Sequence, residues 1–236
     1  MSRTALITGA TGGIGAATTR RLIASGYQIA ISGRDEEHLQ SLASEIHQRE
    51  RLFTVVANAT DYDALAAAVA STVERFGRLD AVIANAGFST HDNLITGDPD
   101  RWREMVLVNV LGPALLVKAA LPALKASRGR IVFVGSVAGF KNTPGNMYSV
   151  TKWAVTGLAE NTRLLVTSDG IGVTLIAPGR VDTPFWSHRS ASKRGGAGDG
   201  PSLTAEHIAD TIVWALDQPA GVDINTVLLR PIGQAT

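Results

Sequence analysis

Tyr148 and Lys152 stand four residues apart at the head of an apolar-periodic run through Val150, Ala154, Val155, Leu158, Ala159, Leu164 and Leu165. On a helix, positions i and i+4 share a face, so this spacing aims a phenol and an ammonium into one space. A neighbouring cation favours phenolate and draws a tyrosine down from its usual pKa of ~10, which suits it to give or take a proton near neutrality. Twelve residues earlier, Ser136 follows Ile131-Val132-Phe133-Val134, which reads as a buried strand. A hydroxyl at the C-terminal end of such a strand lies where open α/β sheets bind their ligands. Taken alone, Tyr-x-x-x-Lys also arises by chance and Ser136 also reads as the start of a loop. The surrounding elements decide between these readings.

Those elements begin at once. Ala5-Leu6-Ile7 reads as a strand, Thr8 to Gly15 as a glycine-rich turn, and the stretch through Ala16, Ala17, Leu22 and Ile23 as a helix stopped at Ser25-Gly26. Strand, glycine-rich turn and helix form the dinucleotide-binding arrangement: glycines let the backbone approach a pyrophosphate, and the helix start offers unpaired N–H groups to its charge. Ile29-Ala30-Ile31 is a second strand, followed by Ser32-Gly33-Arg34-Asp35. At this strand end an acid reads a free ribose 2′-hydroxyl and an arginine a 2′-phosphate. Gly33 occupies the place of the acid and Arg34 follows, which leans toward NADP(H); a solvated surface charge is the plain alternative. Asp35 reads as the N-cap of the next helix.

Phe53 to Val56 is a third strand ending at Asn58, with Asp61 as a helix cap; Asn58 and Asp61 suit an adenine edge or a turn equally. Leu79 to Ala84 is a fourth, ending in Asn85-Ala86-Gly87, where a glycine admits a flat ligand or simply closes a turn. Asp98-Pro99 opens a long helix that is apolar nearly all round, which implies cover from a partner subunit as well as the sheet. Asn109 lies within it, and a buried asparagine needs partners. Arg130 to Val134, Val173 to Ala177 and Val227 to Leu229 complete seven strands, and Thr204 caps a last helix. Strands alternating with helices predict a Rossmann-like three-layer α/β sandwich on a doubly wound, seven-stranded parallel sheet. With no linker or repeat, residues 1–236 read as a single domain, and a polar, glycine-rich stretch at about 184–202 reads as a mobile substrate loop or a plain flexible one.

Bulk properties exclude several classes. Lys+Arg 22 against Asp+Glu 21 gives no charge suited to nucleic acid or a membrane surface. Zero cysteines remove disulfides, thiolate metal sites and cysteine nucleophiles. No uninterrupted apolar span of membrane length and no room for a signal peptide are read, so a cytoplasmic protein is expected.

The chain resembles the short-chain dehydrogenase/reductase family, in its compact single-domain branch. The residues that carry the resemblance run in family order: Thr8-Gly9-x-x-x-Gly13-x-Gly15, Asn85-Ala86-Gly87, Asn109, Ser136, Tyr148-x-x-x-Lys152, and Pro178-Gly179 with Thr183. The resemblance implies hydride transfer between a nicotinamide cofactor and a carbonyl or secondary alcohol. Tyr148 would be general acid or base and Ser136 would hold the substrate oxygen. Lys152 would bond the nicotinamide ribose, and Asn109 would anchor a water relay to Lys152. Gly9, Gly13, Ile14, Gly15, Asn58, Asn85, Ala86, Gly87, Pro178, Gly179, Val181 and Thr183 would line the cofactor, with Arg34 at a 2′-phosphate. The cofactor expected is NADP(H), with NAD(H) as the alternative.

Two departures stand out. Ser136 and Tyr148 are one residue closer in sequence than is usual in the family, and Asn58 replaces a common aspartate, although its carbonyl oxygen can still accept from the adenine amino group. Arg180, directly after Pro178-Gly179, suits a substrate carboxylate, and the C-terminal Arg230-Pro231-Ile232-Gly233-Gln234 is similar to members acting on 3-hydroxy acids. A surface or intersubunit salt bridge explains Arg180 equally well. The expected substrate is therefore a small molecule, a hydroxy acid or ketone among the options, with no nucleic-acid, membrane or metal partner. A homotetramer or homodimer is implied. A nucleotide-sensing regulator, and an epimerase or dehydratase that keeps its cofactor, remain the competing classes.

Overall fold

The computed structural model describes residues 2–186 and 200–235, so most of the 184–202 substrate loop lies outside the described residues. Seven strands form one parallel sheet: β1 (Thr4–Thr8), β2 (Gln28–Gly33), β3 (Leu52–Val56), β4 (Ala81–Ala84), β5 (Arg130–Val134), β6 (Gly172–Pro178) and β7 (Thr226–Leu229). Their spatial order is β3-β2-β1-β4-β5-β6-β7. The chain winds outward from β1 in one direction and, after β4, in the other, so the strand order reverses between β1 and β4. Open sheets hold ligands in the crevice beyond that reversal.

Both sheet faces are covered, because alternate residues of each strand enter different cores. Ile7, Ile31, Ile83 and Val134 pack with Leu22 of α1 (Gly13–Ala24), Leu39 of α2 (Glu36–Ile46) and Ile212 of α7 (Ala205–Leu216). Leu6, Ala30, Val82 and Phe133 face the other way. They pack with Leu65 of α3 (Tyr62–Phe76), Leu116 of α5 (Gly112–Ser127) and Val155 of α6 (Met147–Val166). Strands buried on both faces read as continuous apolar runs, which is why no alternation marks them in the sequence.

Helix starts follow the sequence cues. Asp35 and Asp61 accept from the N–H groups of His38 and Ala64, and Asp98 from that of Asp100 ahead of α4 (Pro99–Val106). These side chains satisfy donors that a helix N-terminus otherwise leaves unpaired. The α1 start differs: Gly12 offers no side-chain cap, and no acid lies in the first turn.

The helix from Pro99 to Ser127 runs unbroken through α4, a π-helical turn at Leu107–Leu111 and α5, and with a mean hydropathy of 1.8 over an 18-residue window it is long and apolar enough to cross a membrane by length and composition. The apolar residues there are not uninterrupted, as expected from the sequence, because Asn109, Pro113, Lys118 and Pro122 fall among them. Leu116, Val117, Ala120 and Leu124 on this helix are buried against α3 and the sheet, so one of its faces belongs to the core. Leu79 and Asp80, assigned to the fourth strand from sequence, precede it.

Candidate active site

At the strand C-termini above the β1/β4 reversal lies a cavity of about 1080 Å³. Its walls include Gly9, Gly13, Ile14, Gly15, Arg34, Asn58, Asn85, Ala86 and Gly87 from the first half of the chain. The second half contributes Ser136, Tyr148, Lys152, Pro178, Gly179, Arg180, Val181 and Thr183. Of the catalytic and cofactor residues expected from the sequence, all but Asn109 therefore line one cavity, whereas Asp61, the other candidate for an adenine edge, caps α3 and does not.

The glycine turn sits close against the β4 turn. Gly9 has φ +63°, and a Cβ there would come 2.7 Å from the Cα of Ala86, so only glycine fits both the conformation and the contact. Asn85 fastens the two turns, its Nδ2 donating to the carbonyls of Thr8 (3.1 Å) and Gly9 (2.9 Å). Thr8, which opens the glycine motif but has no role assigned from sequence, accepts from the backbone N–H groups of Asn85 and Ala86. The uncapped start of α1 thus opens on the cavity with its N–H groups free of side-chain acceptors, which suits a pyrophosphate.

At the β2 end, Arg34 is exposed and lies 3.6 Å from Glu104 of α4, which is also paired with Arg101. Glu104 and Arg101 line the cavity beside Arg34. Sequence reasoning missed both, because helix α4 is brought to the β2 end only by the fold. Asn58 accepts from the N–H and hydroxyl of Thr60 through Oδ1, at 3.1 Å each. The oxygen expected to meet an adenine amino group is therefore engaged in its own turn.

Ser136 leaves β5 in extended conformation and accepts from the N–H of Ala138. Tyr148 and Lys152 rise from the first turns of α6, whose N-cap Asn146 accepts from Ser149 N–H. Lys152 is buried, donates to the carbonyl of Val134 at 2.9 Å, and has its ammonium 5.6 Å from the centre of the Tyr148 ring. Burial lowers Lys152 from the ordinary lysine value to about 8. Burial also pushes the Tyr148 phenol up to about 12, with a hydrogen bond involving Ser136 pulling the other way. The sequence expectation of a lysine-lowered tyrosine is thus reversed: the largest influence on the phenol is burial, which raises it.

Asn109 lies in the π-helical turn, 1% exposed. It accepts from Phe88 N–H at 3.0 Å and donates to Phe88 O at 2.9 Å and to Thr151 Oγ1 at 3.0 Å. It stands behind the cavity wall: a Cβ on Gly87 would lie 3.1 Å from its Oδ1 and 3.8 Å from Lys152 Nζ. π-Bulges recur at functional sites, and here the extra residue delivers an asparagine to the loop that carries Gly87. On the far side of the cavity, Phe185 packs its ring 5.7 Å from that of Tyr148 and 5.3 Å from that of His91. Neither contact is readable from sequence, since both join residues far apart in the chain.

The model of the family described as short chain dehydrogenase matches residues 3–194. An oxidoreductase of Staphylococcus epidermidis, itself uncharacterised, is 32% identical over 98% of this chain and 97% of that protein. Among solved structures, the closed form of a serine dehydrogenase complexed with NADP+ superposes with a TM-score of 0.91 at 28% identity, covering 99% of this chain and 96% of that one. An alcohol dehydrogenase from Thermococcus sibiricus complexed with 5-hydroxy-NADP gives 0.87 at 28% identity, covering 100% and 99%. The cavity, the sheet order and these likenesses converge: the chain belongs to the short-chain dehydrogenase/reductase family of oxidoreductases.

Proposed function

We propose that this protein, acting as one catalytic domain, is an NADP(H)-dependent oxidoreductase that interconverts a carbonyl and a secondary alcohol, with Tyr148 as general acid–base. The observation that carries the reading is the placement of Tyr148 and Ser136 together in the cavity whose other wall is the uncapped start of α1. A nicotinamide dinucleotide supplies or takes a hydride at carbon when bound. The chain does the rest. Ser136 holds the substrate oxygen and stabilises charge developing on it. Tyr148 gives its phenolic proton to that oxygen during reduction and recovers one from solvent; in oxidation it takes the hydroxyl proton. Lys152, tied to Val134, orients toward the ribose side and places positive charge beside the phenol. Asn109 holds the Phe88 loop and Thr151, and so positions Lys152's helix turn. Gly9, Gly13, Ile14, Gly15 and Ala86 admit the dinucleotide's backbone approach, Pro178, Gly179, Val181 and Thr183 close over its nicotinamide end, and Arg34 meets a 2′-phosphate.

Arg34's pairing with Glu104 favours a second reading, NAD(H), because the carboxylate already neutralises the cation that would read the phosphate. Titration of wild type and Arg34→Ala with NADPH and NADH, read by nicotinamide fluorescence, decides between them. Tighter NADPH binding erased by the substitution is expected; equal or tighter NADH binding sinks the NADP(H) assignment. Turnover tests the mechanism. Tyr148→Phe should lose on the order of 10²–10⁴-fold in kcat with cofactor affinity retained, a result that a nucleotide sensor would not give.

The exposed apolar side chains of Val106, Leu107 and Leu111 on the long helix, and of Val150, Trp153, Leu164 and Leu165 on α6, support assembly into a homodimer or homotetramer.

A further inference from the structure

Strand β6 ends on Pro178, and Gly179 N–H, just past it, donates to the carbonyl of Leu229, the last residue of β7, at 2.7 Å. The next donor, Arg180 N–H, takes a side chain as its acceptor: Oε1 of Gln234, at 2.9 Å. Gln234 reaches it because the chain doubles back after β7. A turn closed by Gln234 N–H on the carbonyl of Pro231 at 3.1 Å, with Gly233 at φ +94°, reverses its course. Glycine adopts that positive φ without steric cost. The contact is close: a Cβ on Gly179 would lie 2.4 Å from Gln234 Oε1, so the amide rests directly on the glycine backbone. Gly233, Gln234 and Ala235 line the cavity together with Gly179 and Arg180.

What Gln234 holds is a turn that crosses the site. On its other side the turn is gripped by Leu203, whose N–H donates to Arg180 O at 2.9 Å and whose carbonyl accepts from Asp182 N–H at 2.8 Å. Val181, between them, is buried in the core shared with α1 and α7. Thr183 lies against the glycine turn: a Cβ on Gly13 would meet its Cγ2 at 2.5 Å. The stretch 178–183 therefore runs from the C-terminal segment to the start of α1, along one wall of the cavity. The grip at Leu203 is made by backbone groups, which any side chain leaves intact. The grip on Arg180 N–H depends on one amide.

We infer that Gln234 is a positioning residue for the nicotinamide half of the bound dinucleotide. Its amide oxygen fixes the 178–183 turn over the cavity, and with it the room left for the nicotinamide ribose and ring. The inference rests on the dinucleotide reading above and adds to it a residue outside the catalytic and cofactor sets. The effect is confined to one end of the ligand. The adenosine end belongs beside Arg34 after β2, and β2 is separated from β6 by β1, β4 and β5, about 19 Å at the usual strand spacing. A shift of the turn therefore reaches the nicotinamide end and leaves the adenosine end alone.

The test compares whole dinucleotides with adenosine fragments. NADPH and NADH are titrated by nicotinamide fluorescence into wild type, Gln234→Leu, Gln234→Ala and Gln234→Glu. Adenosine 2′,5′-bisphosphate and AMP, which carry the adenosine end without the pyrophosphate bridge or the nicotinamide, are titrated by calorimetry into the same proteins. Gln234→Leu keeps the bulk and removes the acceptor, and Gln234→Ala removes both. Each should weaken the dinucleotide that wild type prefers by roughly three- to tenfold, the usual worth of one such hydrogen bond, with fragment affinity unchanged. Gln234→Glu retains an acceptor oxygen at the same reach and should restore wild-type affinity.

Three results overturn the inference while the dinucleotide reading stands. They are full dinucleotide affinity in Gln234→Leu, an equal loss of dinucleotide and fragment affinity, and a Gln234→Glu variant as weak as Gln234→Leu. The second would make Gln234 a general support of the cavity wall, and the third would make the hydrogen bond irrelevant. A wild type that binds neither NADPH nor NADH is a different failure: it removes the dinucleotide reading, and the role of Gln234 falls with it.

Discussion

Lys152 donates its ammonium proton to the carbonyl of Val134 at 2.9 Å, tying the second turn of α6 to the last residue of β5. Ser136 lies two residues beyond that carbonyl, so one bond sets the helix bearing Tyr148 against the strand end bearing Ser136. The bond also holds a cation in a buried place, and two pH-dependent consequences follow.

Lys152 is lowered from 10.5 to about 8 by burial. Between those values the unfolded chain holds a proton that the folded chain does not, so stability rises with pH across the window. Below it, folding carries the whole cost of the buried charge, on the order of 3 kcal/mol. Lys152→Met should therefore be more stable than wild type at pH 7, by that amount less the lost bond to Val134. The advantage should shrink from about pH 8 upward. Urea unfolding of both proteins at neutral and alkaline pH measures it, and a gap that widens with pH would refute the burial account.

Tyr148, pushed up to about 12, should remain a neutral phenol through neutral pH in the protein without cofactor. Ultraviolet titration of phenolate absorbance, taken as the difference between wild type and Tyr148→Phe, should show no ionisation near pH 7. A phenolate signal at neutral pH would mean that the Lys152 charge overrides burial after all.

Asn109 makes three hydrogen bonds from a buried amide, two of them to the backbone of Phe88. Asn109→Ala strands the N–H and carbonyl of that residue and should cost on the order of 2–4 kcal/mol in denaturant unfolding. Activity should fall further than stability alone explains, because the Phe88 loop and the Lys152 turn both lose their brace.

Glu104 competes for Arg34 across the cavity mouth. Exposed pairs of this kind contribute up to about 1 kcal/mol, so Glu104→Gln should tighten NADPH binding by roughly two- to fivefold, leave NADH binding unchanged, and lose its effect at high salt. Parallel fluorescence titrations at low and high ionic strength check it.

Leu164 and Leu165 are 60% and 67% exposed on α6. If they lie in a subunit interface, replacing both with glutamate buries charge without a partner and should shift sedimentation toward the monomer. A wild type that already sediments as a monomer would dispose of the assembly proposed here.

Much of this molecule is legible without coordinates. The strand–glycine–helix opening, the capping residues Asp35, Asp61 and Thr204, and the spacing of Tyr148 to Lys152 are local features, governed by backbone geometry and side chains a few residues apart. Local signals also place the strand ends, which is why nearly every candidate residue falls on one cavity. Asn109 was found as a buried polar residue, but its position behind Gly87 was not, since a π-helical turn leaves no mark in an apolar run.

Tertiary structure alone decided the electrostatics. Whether Lys152 lowers Tyr148, or burial raises it, depends on how much low-dielectric protein surrounds each group and where the lysine's protons go. Neither quantity is encoded in a four-residue spacing. The same holds for Glu104 beside Arg34, a pair separated in sequence by scores of residues and joined only when the sheet is wound. The amino-acid order by itself determined which groups can transfer a proton and bind a dinucleotide. Folding determined which charges those groups face, because Coulombic and desolvation energies depend on distance and burial in three dimensions.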